Sequence, residues 1–186
     1  PFGNSEVMGY VQGRNKTDLD AKSLKIINKV ISPIPLLTDE LLEIIDLTCQ
    51  RYACKPWDVI RSAIPARVAA VEKEYLGLDF PKVVAIKPKL EHRVTITKTF
   101  ESLPAIINEI LRGLGEEQQL LVIVPDERDI KQLLTFNLNA EPVLLTSDIS
   151  KSERYANYLK SRFQQSRFIL GTRGAIFTPL AINSVI

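Results

Sequence analysis

The spacing of apolar and polar positions changes along this chain of 186 residues. Residues 5–13 and 23–31 alternate in the manner of β-strands and are flanked by turn-forming residues. From residue 38 the apolar positions recur every three to four residues, which predicts helices. The first helix is expected to start after Thr38 as its N-cap, the second at Pro56, and a third is expected over 66–77. A small β-plus-helical unit is therefore predicted for the first part of the chain.

Residues 78–92 contain two prolines and no periodic spacing of apolar residues, which predicts a linker. A second pattern of apolar positions starts after them. Short apolar runs alternate with helical patterns from Arg93 to the last residue, which predicts a parallel α/β sheet. The run LLVIV at 120–124 is continuously apolar, so we expect it to be a central strand buried on both faces. The other predicted strands are 93–97, 142–147, 167–171 and the beginning of one at 183–186.

Composition excludes several classes of protein. The net charge is +2, with 24 basic and 22 acidic side chains spread evenly along the chain, so any nucleic-acid binding must rely on local patches. The apolar runs are too short to span a bilayer, so no membrane partner is expected. Cys49, Cys54 and the single histidine, His92, are too few for a closed zinc site, so two reduced, buried thiols are predicted. Both ends of the chain look cut, which suggests a piece of a longer protein.

No catalytic constellation is apparent in the sequence. A phosphate loop would be expected after the first strand of the predicted sheet, but the segment TITKTFESL at 95–103 contains Lys98 and no glycine. Successive inward-turned N–H groups require glycine's dihedral freedom, so neither an ATP site nor another cofactor is predicted in this chain. Asp126 and Glu127 follow a strand, where they could cap a helix or hold Mg²⁺.

Candidate binding residues occur at two places. Thr172 and Arg173 follow a predicted buried strand, and a hydroxyl beside a guanidinium suits a phosphate oxygen, although Arg173 could instead pair with a carboxylate. Lys25 lies among lysines of the second alternating run, where solubility is the alternative role. Gly3 lies in a turn that would let a ligand approach the backbone.

The order of several motifs resembles the primosomal protein N′ (PriA) family of replication-restart proteins. The motifs are PFG and MGYVQG near the start, the helical segment ending in AIP at 63–65, LLVIVPDE, SKSERYANYL and GTRGAIF. The resemblance implies that 1–65 is the C-terminal part of a 3′ DNA-binding domain with its following helices, 66–92 a helix and linker, and 93–186 a partial RecA-like first helicase lobe.

The same resemblance implies roles for particular residues. Gly3 and Lys25 match positions that hold the terminal nucleotide of a 3′ end, and Gly171, Thr172 and Arg173 match a helicase motif that contacts the backbone of single-stranded DNA. The family also implies ATP and zinc, but the motifs for both are absent from this chain. The glycine-free segment resembles a shortened branch, of actinobacterial type, whose helicase motifs are degenerate.

The expected function is therefore replication restart at stalled forks or 3′ DNA ends, without an active ATPase. Two alternatives remain open: an ATP-dependent 3′–5′ helicase with an atypical nucleotide site, and a non-enzymatic scaffold for restart proteins. The expected partners are branched or single-stranded DNA and other primosome proteins. The expected location is the bacterial cytoplasm, in association with the nucleoid.

Overall fold

Two helices are the first regular elements of the computed structural model, which describes residues 6–13, 16, 18, 20, 24–81 and 91–186. Helix α1 spans Asp39–Tyr52, and the Thr38 hydroxyl accepts a hydrogen bond from the backbone N–H of Leu41 at 3.2 Å. Helix α2 spans Pro56–Ala63 with its proline in the first turn, where a missing N–H costs nothing. Both predicted helices are confirmed.

The third predicted helix is shorter than its pattern suggested. Helix α3 spans only Ala69–Glu72 and continues as a 3₁₀ helix over Lys73–Tyr75. The chain then turns at Gly77, whose φ of 88° lies in the left-handed region that favours glycine.

Three predicted strands are wrong for the described residues. Residues 6–13, 24–31 and 93–97 belong to no strand. Their apolar side chains are largely exposed: Ile26, Val30, Val94 and Ile96 are all at least 72% accessible. A strand needs a hydrogen-bonding partner and an apolar surface to cover one face. In the described part of the chain these three segments pair with no strand, and, apart from Tyr10, which packs against the core, their apolar side chains are largely uncovered. Alternation in the sequence indicated the capacity to form a strand, not the presence of a partner.

A small parallel sheet forms the second part, with strands β1 (Leu120–Ile123), β2 (Val143–Leu145) and β3 (Phe168–Gly171). Their spatial order is β1-β3-β2, with Val122 opposite Leu170 and Leu144 opposite Leu170 on the other side. Beyond β1 there is one parallel bridge, from Leu120 to Val185. The parallel sheet is confirmed, but the central strand is β3 and not LLVIV, because both neighbours of β3 are full strands.

Helices cover both faces of this sheet. The helices that follow or precede the strands are α4 (Leu103–Gly113), α5 (Glu127–Leu133) and α6 (Lys151–Arg162), and 3₁₀ helices span Phe100–Ser102 and Arg173–Phe177. Phe168 and Leu170 pack in one cluster with α4 and α5, whereas Ile169 packs in the other with α6. All of β3 is therefore buried, while Val122 of β1 is only half-buried.

One hydrophobic cluster joins the first part of the chain to the sheet. It contains Leu41 and Ile45 of α1, Ile60 of α2, Tyr155 of α6 and Ile169 of β3. The domain boundaries predicted at 65 and 92 remain predictions, and this core extends across both of them. The structure is thus a mixed arrangement of helices and a small parallel sheet. Among the described residues, no helix is long and apolar enough to cross a membrane.

Candidate nucleic-acid interface

The carboxyl ends of the three parallel strands lie at one edge of the sheet, because the strands run in the same direction. The central strand ends at Gly171, and the chain continues through Thr172 into the 3₁₀ helix Arg173–Phe177. The backbone N–H of Thr172 bonds to the carbonyl of Leu145 at 3.4 Å, and its own carbonyl accepts from Ala175 at 2.8 Å. These bonds fix the turn that presents Arg173.

Gly171 is required at this turn by the available space. A Cβ atom there would lie 2.5 Å from the Cβ of Ala175 and 2.7 Å from the carbonyl oxygen of Leu145. Contacts this short with a backbone atom need the backbone to move. The 3₁₀ helix can therefore fold closely over the end of β2 only because residue 171 lacks a side chain.

Arg173 is exposed at this edge, where the sequence placed it. Within the described residues it takes part in no ion pair, and no hydrogen bond there involves the Thr172 hydroxyl. The acidic side chains that follow the two outer strands form ion pairs or hydrogen bonds with residues other than Arg173. A guanidinium without a local counter-ion can donate two parallel hydrogen bonds to a phosphate.

Two other basic side chains at the same edge are neutralised. Arg128 donates to Asp126 at 2.9 Å, and Lys131 lies 2.6 Å from Asp148. The Arg128 guanidinium lowers the pKa of Asp126. The Asp126 carboxylate also accepts from the backbone N–H groups of Arg128 and Asp129, so its predicted role as the cap of α5 is confirmed. These charges largely satisfy one another, whereas Arg173 has no such counter-ion among the described residues.

Glu127 ties together the loops that follow the two outer strands. Its carboxylate accepts hydrogen bonds from the Thr146 hydroxyl and, at 3.1 Å each, from the backbone N–H and hydroxyl of Ser147. Glu127 follows β1 and Thr146 follows β2, so this contact joins the two neighbours of β3 on the side where β3 ends. These hydrogen bonds fix the loops beside Arg173. They also use the Glu127 carboxylate, which the sequence analysis had considered as a possible ligand of Mg²⁺.

Of the two candidate residues in the first part of the chain, the structure describes Lys25, which lies in the segment 24–31. Lys25 is exposed, and nearby Asn28 donates a hydrogen bond to Glu6 at 3.2 Å, so the segments 6–13 and 24–31 are in contact there. Gly3 lies outside the described residues. Helix α2 packs directly against the 3₁₀ helix that Arg173 begins. The first part of the chain is therefore in contact with the edge that carries Arg173.

A buried carboxylate holds these parts together. Glu72 is 2% exposed and accepts hydrogen bonds from the Ser32 hydroxyl at 2.7 Å, the Tyr155 hydroxyl at 2.6 Å and Arg67 Nε at 2.7 Å. Burial by itself raises the pKa of Glu72, but the hydrogen bonds from Arg67, Tyr155 and Ser32 together lower it below its ordinary value. Burial and the bond to Glu72 raise the pKa of Tyr155. Glu72 is thus a charged acceptor that links residue 32, α3 and α6.

The residues present do not fit the two groups that the family resemblance implies. The thiols of Cys49 and Cys54 are half-buried with their sulfur atoms 4.0 Å apart, and burial and Cys54 raise the pKa of Cys49. Zinc needs thiolates and further ligands, and no group of three ligating residues occurs within the described ranges. Residues 93–99 belong to no strand and are mostly exposed, so they do not form the strand-to-helix turn that holds a triphosphate.

Comparison with known proteins shows what the first part of the chain is similar to. Residues 1–65 match the family described as 3′DNA-binding domain (3′BD). A probable replication restart protein PriA from Mycobacterium tuberculosis is 28% identical over 97% of this chain, and one from Mycobacterium leprae is 27% identical over 96%. The predicted resemblance to the PriA family is confirmed. The chain spans about a third of these relatives, 31% and 32% of their lengths respectively.

Sequence reasoning located Arg173 but missed the contacts that surround it. Glu127 and Thr146 lie 19 residues apart and Glu72 and Tyr155 lie 83 apart, so no local pattern connects them. The only signal for the first contact was an acid directly after one strand and a Thr-Ser pair directly after the next. No pattern in the sequence predicts the packing of α2 against the 3₁₀ helix.

Proposed function

We propose that this chain is part of a bacterial, cytoplasmic replication-restart protein that binds forked or 3′-ended DNA and works with other restart proteins. The observation that carries this proposal is the match of residues 1–65 to a 3′DNA-binding domain. The relatives that align with nearly the whole chain are named as probable replication restart proteins, which supports the same role.

Arg173 supplies a phosphate contact in this proposal. It is exposed at the carboxyl edge of the central strand, which is where open parallel sheets bind ligands. A contact with the backbone gives affinity without sequence preference, as a protein that acts at forks of any sequence requires. We further propose that 93–186 is a partial RecA-like lobe. Its parallel strands with helices on both faces, together with the motif at 171–173, support that assignment.

This region does not hydrolyse ATP in our proposal. The segment 95–103 has no glycine, and its first residues are exposed and outside the sheet. Lys98 therefore has no loop of backbone N–H groups around it with which to hold a phosphate.

A binding titration tests the proposal. The chain is titrated into dye-labelled forked, 3′-tailed, blunt duplex and single-stranded DNA of matched length, with and without ATP and Mg²⁺, and anisotropy is measured. We expect preference for forked and 3′-ended DNA over blunt duplex, no effect of ATP, and affinity that falls with salt. Equal affinity for all four DNAs would refute recognition of ends. DNA-stimulated phosphate release that disappears in Lys98→Ala would refute the absence of an ATPase.

The contribution of Arg173 is measured against a charge-matched control. Arg173→Ala should weaken binding to all sequences about equally and reduce the slope of log K against log salt by roughly one. Arg112→Ala removes the same charge from the end of α4, which leads to the amino end of β1 and so to the opposite edge of the sheet. Equal effects of the two substitutions would mean that only net charge matters and that Arg173 makes no specific contact.

A further inference from the structure

An open groove of about 450 Å³ lies between the extended segment 6–13 and the beginning of α2. Tyr10 and Trp57 line it from the two sides, and Ile60, only 3% exposed, lies beneath them and anchors the groove in the core. The two aromatic rings are 6.1 Å apart between centroids and inclined at 47°. The groove is thus an aromatic surface supported by buried side chains, rather than a loose apolar patch.

Trp57 is placed to receive a flat ligand. Its side chain is 42% exposed although it borders a groove, whereas Tyr10 is half-buried and packs against the core. Pro56 precedes Trp57 at the start of α2 and fixes the backbone there. Stacking of a nucleobase on an exposed indole needs one open ring face and a rigid support. Trp57 has exposed surface, and Tyr10, Pro56 and Ile60 provide the support.

The groove also has room and polar groups for a nucleotide. A Cβ atom on Gly9, which lines the groove, would meet none of the described residues within 4 Å, so the space beside this backbone is open with respect to them. Gln12 contributes an exposed amide to the lining, and Lys55, also exposed, directly precedes Pro56. An amide can donate to or accept from a base edge, and an ammonium can approach a phosphate.

The position of the groove favours DNA over a peptide as its occupant. Every residue that lines it falls within 1–65, the part that matches a 3′DNA-binding domain. Helix α2, which carries Trp57, packs against the 3₁₀ helix that begins at Arg173. The element that presents the indole is therefore in contact with the element that begins at Arg173.

We propose that this groove stacks an unpaired nucleobase on Trp57, beside the backbone contact made by Arg173. The proposal rests on the proposed function, because it requires that the chain binds DNA. Residues 1–65 carry eight basic and eight acidic side chains, so this part lacks a strong overall attraction for phosphates. Stacking supplies affinity that depends on the bases and only weakly on salt.

Fluorescence of Trp57 tests the proposal directly, because it is the only tryptophan in the chain. The chain is titrated with an end-labelled oligothymidylate and with an abasic oligomer of the same length, while anisotropy reports binding and tryptophan emission reports the groove. We expect oligothymidylate to quench the emission and the bound abasic oligomer to leave it unchanged.

The outcomes separate this proposal from the one on which it rests. Binding by anisotropy without quenching would overturn the stacking site and leave DNA binding intact. No binding to any DNA would overturn both. A change of emission with an amphipathic leucine-rich peptide, but not with oligothymidylate, would identify the groove as a protein-docking site and refute the proposal.

Substitutions give an independent measurement. Trp57→Ala should weaken binding to oligothymidylate about tenfold and leave its salt slope unchanged, whereas Arg173→Ala should flatten that slope. Tyr52→Ala is the matched control, because Tyr52 is 70% exposed at the end of α1 and does not line the groove. It should change affinity less than about twofold. Equal losses in the two aromatic variants would overturn the proposal, and the quenching experiment decides on the unmodified chain if Trp57→Ala does not fold.

Discussion

The extended segments 6–13 and 24–31 and the strand β3 are made of similar residues but have opposite environments. Ile26, Ile27 and Val30 are at least 67% exposed, whereas Ile169 and Leu170 in β3 are 0% exposed. The difference lies in the neighbours, since β3 has a strand on each side and helices over both faces. Apolar composition is therefore common to both regions, but only in β3 do long-range partners produce a buried strand.

The largest expected effect is a difference in the free energy of unfolding when one aliphatic side chain is truncated in each of the two regions. Leu170→Ala leaves a cavity in the central strand and should reduce the free energy of unfolding by about 3 kcal/mol. Val30→Ala, at a position 72% exposed, should change it by less than about 0.5 kcal/mol. Urea unfolding followed by circular dichroism measures both. If Val30→Ala reduces the free energy of unfolding as much as Leu170→Ala does, the segment 24–31 is packed in solution. The two regions would then not differ in burial.

A smaller effect is expected from adding one methyl group at the end of β3. Gly171→Ala forces a Cβ against the carbonyl of Leu145 and should cost about 2 kcal/mol, typical of overpacking. Gly174→Ala, three residues along in the 3₁₀ helix, meets nothing within 4 Å and should be within about 0.5 kcal/mol of the parent. Thermal unfolding of the pair, compared at one pH, gives both numbers. If the two variants have the same stability, the turn after β3 is not tightly packed.

The smallest effect concerns the link between the regions and depends on pH. The pKa of Glu72 is lowered in the folded chain, so its ionised form stabilises folding above the unfolded pKa, and this contribution is lost as the pH falls through the folded pKa. The parent should therefore lose stability on acidification more steeply than Glu72→Gln, which cannot titrate. Denaturant midpoints measured from neutral to acidic pH provide the comparison. Parallel curves would show that Glu72 does not couple protonation to folding.

The sequence predicted local structure well where a short-range cause decides it. Thr38 and Asp126 cap helices as expected, because a cap needs only a hydroxyl or carboxylate within three residues of the N–H groups that it satisfies. The strand predictions were wrong where no neighbouring strand pairs with the segment, as at 93–97. The order of the strands was also misjudged: β1 is buried on both faces, with Leu121 in one cluster and Leu120 in the other, but an apolar run does not indicate which strand is central.

The candidate site divides in the same way. Arg173 could be placed at a strand end from its position after an apolar run, because chain direction alone determines which end of a parallel strand it follows. The groove at Trp57 could not be predicted, since it forms between a segment near residue 10 and a helix that begins at residue 56. Its rings meet only after the chain has folded over more than forty intervening residues.

The shared core has a consequence for how tightly DNA is held. Because α2 packs against the 3₁₀ helix at Arg173, the two elements that carry the indole and the guanidinium are held together. In the proposed complex, a strand bound at one of them meets the other as an intramolecular partner, at an effective concentration on the order of millimolar. Two individually weak contacts then act as one site with a slower rate of release, and the rigidity of the protein determines how much of that gain is realised.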